Sequence, residues 1–156
     1  MKKYSFVTVT TFICILLFSS CLKYGLEEVE LSNECEITNV QFEHRWAVPT
    51  GGIDGIYTLY FQAMTVNRNS DGNRITLDIT VPAVSNSFPQ AERDKVSLSS
   101  IACLFFVSNA ATVLPLNGAP TLGTLGDFSG KSFTYRVTSA SGEYKDWQII
   151  INDFIK

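Results

Sequence analysis

From Asn39 onward the chain alternates. Val40, Phe42, His44 and Trp46 fall on one side of an extended backbone, and Asn39, Gln41, Glu43 and Arg45 on the other. A period of two marks a strand with one buried face. The turn-forming run Thr50-Gly51-Gly52-Ile53-Asp54-Gly55 precedes an apolar stretch, Ile56 to Val66, which predicts a second strand. The polar run Asn67 to Asn73 predicts a hairpin loop, because Asn, Asp and Gly accept positive φ. Ile75, Leu77, Ile79 and Val81 then alternate with Thr76, Asp78 and Thr80 until Pro82 ends the strand. Residues 83–94 read as a longer loop, and Val96 to Val107 as the most deeply buried strand. Phe133, Tyr135 and Val137 alternate with Thr134, Arg136 and Thr138; a turn over residues 139–143 leads to Trp147, Ile149 and Ile151. About seven strands at this spacing, with no convincing amphipathic helix, predict an all-β antiparallel β-sandwich forming one domain.

The N-terminus follows another pattern. Lys2 and Lys3 lead into an apolar run from Phe6 to Phe18 that stops at Ser19-Ser20-Cys21. A basic start, a short hydrophobic stretch and two small residues describe a secretory signal peptide. The run is too short to cross a bilayer, which needs ~20 apolar residues. Ser19-Ser20-Cys21 resembles the lipobox of bacterial lipoproteins, with Phe18 where Leu is commonest. That resemblance implies that Cys21 receives lipid and becomes the new N-terminus; an ordinary signal peptide cut near Ser20 leaves Cys21 a plain thiol. The organisation expected is a lipoprotein signal peptide over 1–20, a lipidated tether over 21–34 and the sandwich over 35–156. The expected location is the cell envelope at the outer membrane, with the surface or periplasmic face left open. Glu27, Glu28, Glu30 and Glu34 make the tether negative. This segment weakly resembles the surface-export signal of Bacteroidetes lipoproteins, and a solvated spacer explains it equally well.

Charge and cysteine content narrow the chemistry. The formal net charge is −3, more negative once Lys2 and Lys3 leave, and no basic run follows Lys3. Phosphate binding needs concentrated Lys and Arg, so nucleic acid is not an expected partner. Removal of Cys14 and lipidation of Cys21 leave Cys35 and Cys103, in a compartment that permits disulfides. A bridge between them would contribute up to about 4 kcal/mol; the alternative is two thiols packed as small buried hydrophobes. No closely spaced Cys and His pairs suggest a metal site, and no cofactor is expected. His44 is the only histidine; in its apolar row it reads as a packed strand residue more than a general base. No Gly-x-Ser-x-Gly elbow or phosphate-cradling glycine loop occurs. The expectation is a protein that is not an enzyme.

The last third carries a second resemblance. Ala111-Thr112-Val113-Leu114-Pro115 is followed by Gly126-Asp127-Phe128-Ser129, then Phe133-Thr134-Tyr135-Arg136-Val137-Thr138, Ser141-Gly142 and Trp147-Gln148-Ile149-Ile150-Ile151. This order is similar to the C-terminal part of immunoglobulin-like domains of Bacteroidetes surface lipoproteins, and implies an immunoglobulin-like sandwich. Asp127 is expected to bond its own turn, and Tyr135 and Trp147 to lie on neighbouring strands. The function expected is a lipid-anchored, non-catalytic binding module, with glycan as the first ligand class. Sugars stack on exposed aromatic faces, and Tyr57 and Tyr144 are the candidate contacts. Loops 50–55, 67–73 and 141–146 are expected to face away from the tether. The alternative is a structural or protein-interaction lipoprotein, an accessory subunit of an envelope or fimbria-like assembly that recruits partners at strand edges.

Overall fold

The computed structural model describes residues 30–51 and 55–156; the signal peptide, Cys21 and most of the tether lie outside them. Nine strands are present among the described residues: β1 (Ile37–Pro49), β2 (Tyr57–Ala63), β3 (Thr65–Asp71), β4 (Arg74–Thr80), β5 (Ile101–Val107), β6 (Thr112–Leu116), β7 (Leu125–Gly126), β8 (Ser132–Thr138) and β9 (Tyr144–Ile155). One short helix, α1 (Gln90–Lys95), interrupts the loop expected over 83–94. The strands form a four-stranded sheet ordered β2-β1-β5-β7 and a five-stranded sheet ordered β3-β4-β9-β8-β6. The all-β sandwich is as expected, with one departure from a purely antiparallel fold: β4 and β9 run parallel.

The alternating residues supply the core. Phe42 from β1, Ile75, Leu77 and Ile79 from β4, Cys103 from β5, Tyr135 and Val137 from β8, and Trp147, Ile149 and Ile151 from β9 are all buried between the sheets. Each such side chain contributes about 1.5–3 kcal/mol of hydrophobic free energy. Phe128, from the Asp-Phe-Ser turn, packs edge-on against Phe42 at 5.4 Å and Phe133 at 5.2 Å. The turn behind it closes as expected: Asp127 Oδ1 accepts hydrogen bonds from the Ser129 N–H (2.9 Å) and hydroxyl (2.6 Å). Those bonds hold the Asp127 carboxyl below the usual carboxylate range.

Three stretches of the sequence divide differently from expectation; in the run Val96 to Val107 the strand begins only at Ile101. The apolar run 56–66 is two strands in different sheets: Met64 donates its N–H to the Phe42 carbonyl at 2.8 Å, after which the chain crosses the sandwich. The polar run 67–73 is mostly strand, since β3 pairs with β4 up to Asp71↔Arg74 and only Gly72-Asn73 remains as turn. Gly72 has φ 59°, the value that the first position of a two-residue type II′ hairpin requires.

The thirteen residues of β1 span about 40 Å and give the molecule two ends. At the Ile37 end, Trp147 Nε1 donates to the Cys35 carbonyl (2.8 Å), Arg68 to the Ile37 (2.7 Å) and Thr38 (2.9 Å) carbonyls, and Ser141 N–H to the Ser32 carbonyl (3.2 Å). The Asn73 carbonyl accepts from the Gln148 N–H at 2.9 Å, which places the β3–β4 turn here as well. Loops 67–73 and 141–146 therefore sit at the tether end, contrary to expectation. Only the turn after Pro49 lies at the far end.

Of the two alternatives for Cys35 and Cys103, the bridge is absent and both cysteines are buried free thiols. The register explains this. Ile37 pairs with Val107 and Phe42 with Cys103, so Cys35 lies roughly 20 Å along the ladder from Cys103 at ~3.3 Å per residue. A disulfide needs Cα atoms within about 7 Å. Cys35 Sγ instead donates to the Glu143 carbonyl at 3.1 Å, and burial pushes the Cys103 thiol far above its ordinary value.

Candidate interaction surface

The far half of β1 and all of β2 form an arm at the end away from the tether. The β5 ladder stops at Glu43↔Ala102, whereas β2 pairs with β1 from Glu43↔Ala63 to Pro49↔Tyr57. The arm is closed by the Thr50 N–H, which donates to the Ile56 carbonyl (2.9 Å), and by a 2.7 Å hydroxyl pair between Thr50 and Thr58. Gly51 and Gly55, both at positive φ, flank residues 52–54.

The two faces of the arm differ. On the inner face the Trp46 ring stacks between His44 (5.5 Å) and Tyr60 (5.6 Å), with Phe88 6.0 Å from Trp46. This row continues the core row of β1. His44 is buried and its Nε2 lies 3.3 Å from Glu92 on α1, so it packs as the alternation predicts while holding a carboxylate. Glu92 also accepts from Lys95 at 2.7 Å. The Lys95 hydrogen bond, then that of His44, keeps the Glu92 carboxyl below its ordinary value.

The outer face carries Ala63, Phe61 and Leu59 beside Glu43, Arg45 and Ala47. Glu43 is buried yet fully engaged: it accepts from Gln41 Nε2 (2.7 Å), Arg45 Nε (2.9 Å) and Arg45 Nη2 (2.8 Å). Arg45 Nη1 in turn donates to the Gly123 carbonyl at 2.6 Å. The charges on the floor are thus spent on each other. Above them lies an open groove of about 580 Å³ walled by Leu59 and Phe61 on one side and Leu125 on the other. Leu59 is 80% exposed and Phe61 66%.

Exposure of β2 matters because it is an edge strand. Sheets present four edges here, and an unpaired edge with apolar side chains is a template for another strand. Three are blunted. β7 has two residues, β6 contains Pro115, and β3 is polar, with Arg68 and Asp71. Among the described residues, β2 is the one edge that runs seven residues, Tyr-Thr-Leu-Tyr-Phe-Gln-Ala, without charge, proline or glycine.

The two aromatic residues proposed as ligand contacts are both exposed, Tyr57 at 58% and Tyr144 at 60%. They are not brought together. Tyr57 pairs with Pro49 at the end of the arm, and Tyr144 follows Glu143 beside Cys35 at the opposite end of β1. One face of Tyr144 is also occupied, with the Arg136 guanidinium 4.0 Å from its centroid. Arg136 is held in turn by a bidentate pair with Asp146 at 2.7 and 2.8 Å. That pair lowers the Asp146 carboxyl and raises Arg136. Tyr135 and Trp147 are directly paired, as expected. The Tyr135 ring packs edge-on against Phe105 at 4.9 Å, and its hydroxyl donates to the Pro120 carbonyl. Leu59, Phe61 and Leu125 were not foreseen as surface residues. The absence of charge from Ile56 to Ala63 was the available signal, but it reads equally as core.

Known proteins add context to this geometry. No curated protein matches the chain. A crystal structure of a protein described as secreted, from Bacteroides fragilis NCTC 9343, is similar over 80% of this chain and 98% of its own, at 33% identity and a TM-score of 0.71. The likeness therefore takes in the sandwich. The family match, DUF5018-related, spans residues 37–150, from the first residue of β1 to the middle of β9. Every strand but the second half of β9 falls within that match, and the chain belongs to the DUF5018-related family.

Proposed function

We propose that this protein is a lipid-anchored, non-catalytic interaction module of the cell envelope, and that it binds an extended protein strand along β2. The carrying observation is the single unprotected edge among the described residues: seven uncharged residues whose exposed Leu59 and Phe61 wall an apolar groove. Strand addition takes affinity from main-chain hydrogen bonds and specificity from alternate side chains in a groove. The open edge of β2 supplies the first, and the exposed side chains of Tyr57, Leu59 and Phe61 supply contacts for the second. The anchor is Cys21, from the lipobox resemblance, and export of the Bacteroides relative supports placing the domain beyond the inner membrane.

A photo-cross-linking amino acid at position 59 in living cells tests the reading. Protein adducts are expected from position 59 and not from position 114 on the proline-bearing edge. No adduct from position 59 would overturn it. Metabolic labelling with a clickable fatty acid, lost in Cys21→Ser, tests the anchor.

Glycan capture is the second reading, favoured by the exposure of Tyr57 and Tyr60 beside Trp46. It predicts sugar binding lost in Tyr57→Ala and retained in Tyr144→Ala, because the two rings lie at opposite ends of β1.

A further inference from the structure

We infer that the strand that pairs with β2 is the β2 of a second copy of this chain, in an antiparallel register that places Tyr60 opposite Tyr60; this rests on the reading of β2 as an interaction edge.

The hydrogen-bonding register of the edge carries the argument. Thr50 N–H donates to Ile56 O and Met64 N–H to Phe42 O, so with Pro49↔Tyr57 and Glu43↔Ala63 in register the even residues of β2 face β1. In an antiparallel ladder such residues alternate with ones whose backbone groups point away. The N–H and C=O of Tyr57, Leu59, Phe61 and Ala63 therefore point to the open side. Among the described residues only the Gln62 side-chain amide reaches one of them, donating to the Ala63 carbonyl at 3.0 Å, and a carbonyl accepts two bonds.

An antiparallel copy can use these groups only by pairing odd residues with odd. Of the registers that do so, the one pairing Tyr57 with Ala63 and Leu59 with Phe61 engages the full strand, leaving no open N–H or C=O on either copy. Side chains agree with the backbone. On the outer face a large residue meets a small one at Tyr57–Ala63, and Leu59 meets Phe61. On the inner face Thr58 meets Gln62 and Tyr60 meets Tyr60. No charge opposes a like charge, because β2 has none and the nearest ions, Glu43 and Arg45, neutralise each other. This self-complementarity is what a two-fold interface requires. A foreign strand would have to reproduce it by its own sequence.

Size sets the strength. Four exposed large side chains and the edge backbone offer on the order of 500 Å² per copy, and about 1,000 Å² in the pair lies at the lower limit for specific association. An interface of this size belongs with the weak, reversible associations, so the dimer is expected to form only at high protein concentration.

The test uses the chain from residue 22 onward, which contains all nine strands and the whole core. Light scattering is expected to give a dimer mass at about 100 µM and a monomer mass near 1 µM. Leu59→Pro should be monomeric throughout with an unchanged melting temperature, because position 59 points its N–H to the open side and proline there removes no bond to β1. Residue 60 of each copy would sit in a non-hydrogen-bonded pair with Cα atoms about 4.5 Å apart, within disulfide reach. Tyr60→Cys should thus cross-link under mild oxidation and Leu114→Cys should not. A monomer mass at every concentration without cross-linking of Tyr60→Cys would overturn the inference. Cellular adducts from position 59 that contain only another protein would overturn it too, while leaving β2 as an interaction edge; loss of all adducts would remove both.

Discussion

The two halves of β1 obey one alternation and meet different fates. Over Ile37 to His44 the inward row of Val40, Phe42 and His44 is covered by the five-stranded sheet and α1. Over Arg45 to Pro49 the same row continues through Trp46 to Val48, which is exposed, and the outer row looks onto an apolar groove. Periodicity assigns a side chain to a face. Whether that face is covered depends on what arrives opposite it, and beside the arm the ladder between β1 and β5 ends at Glu43↔Ala102. Hydrophobic side chains left open on the arm therefore do not signal a poor core. They mark where the sandwich ends before its longest strand does.

Mutations can break this contrast in order of size. Phe42→Ala in the covered half should cost about 3–5 kcal/mol in denaturant unfolding, from lost transfer energy and the cavity left behind. Trp46→Ala, at the junction, removes two stacked contacts and should cost about 1–3 kcal/mol. Phe61→Ala on the arm should fall within about 0.5 kcal/mol of the parent when measured on the monomer. A Phe61→Ala loss equal to that of Phe42→Ala would mean that the arm belongs to the folding core and would end the comparison.

Acid sharpens it further. The folded-state carboxyls of Glu92, Asp127 and Asp146 lie below their ordinary values. A depressed carboxyl contributes stability above its unfolded value, and this is lost as pH falls through the folded one. Stability should accordingly decline as pH drops below about 4.5, the ordinary value for Glu92. Glu92→Gln, which touches only the cap over His44, should flatten part of that decline. Smallest of all is the expected response to reductant: thiol titration of the unfolded chain from residue 22 should find Cys35 and Cys103 both free, with melting unchanged by dithiothreitol.

Local patterns made much of the fold legible. The alternating rows of β1, β4, β8 and β9 are the core rows, the Asp127–Ser129 turn closes through its own side chain, and Tyr135 and Trp147 lie on neighbouring strands, as expected. What stayed hidden depended on long-range topology. Ile56 to Val66 looks like one strand because crossing between sheets at Met64 leaves its hydrophobicity unbroken. Asn67 to Asp71 looks like a loop because an edge strand of a sandwich needs no apolar outer face. The ladder offset that separates Cys35 from Cys103, and the ends to which Tyr57 and Tyr144 are carried, are set by pairing register. No local spacing encodes that. The interaction surface was the least legible part, since an uncharged run is the common signature of a buried strand and of an adhesive edge.

The bonds at the start of β1 have a mechanical consequence. A pull on the chain ahead of Ile37 enters the domain along the axis of β1. It first meets the Ser141 N–H on the Ser32 carbonyl, then the Trp147 indole on the Cys35 carbonyl and the Arg68 guanidinium on Ile37 and Thr38. Beyond them the force runs parallel to the ladders with β2 and β5, so their hydrogen bonds are sheared together instead of being unzipped singly. Arg68 and Trp147 come from the opposite sheet, and the load is therefore divided between both layers of the sandwich before any strand of the arm feels it.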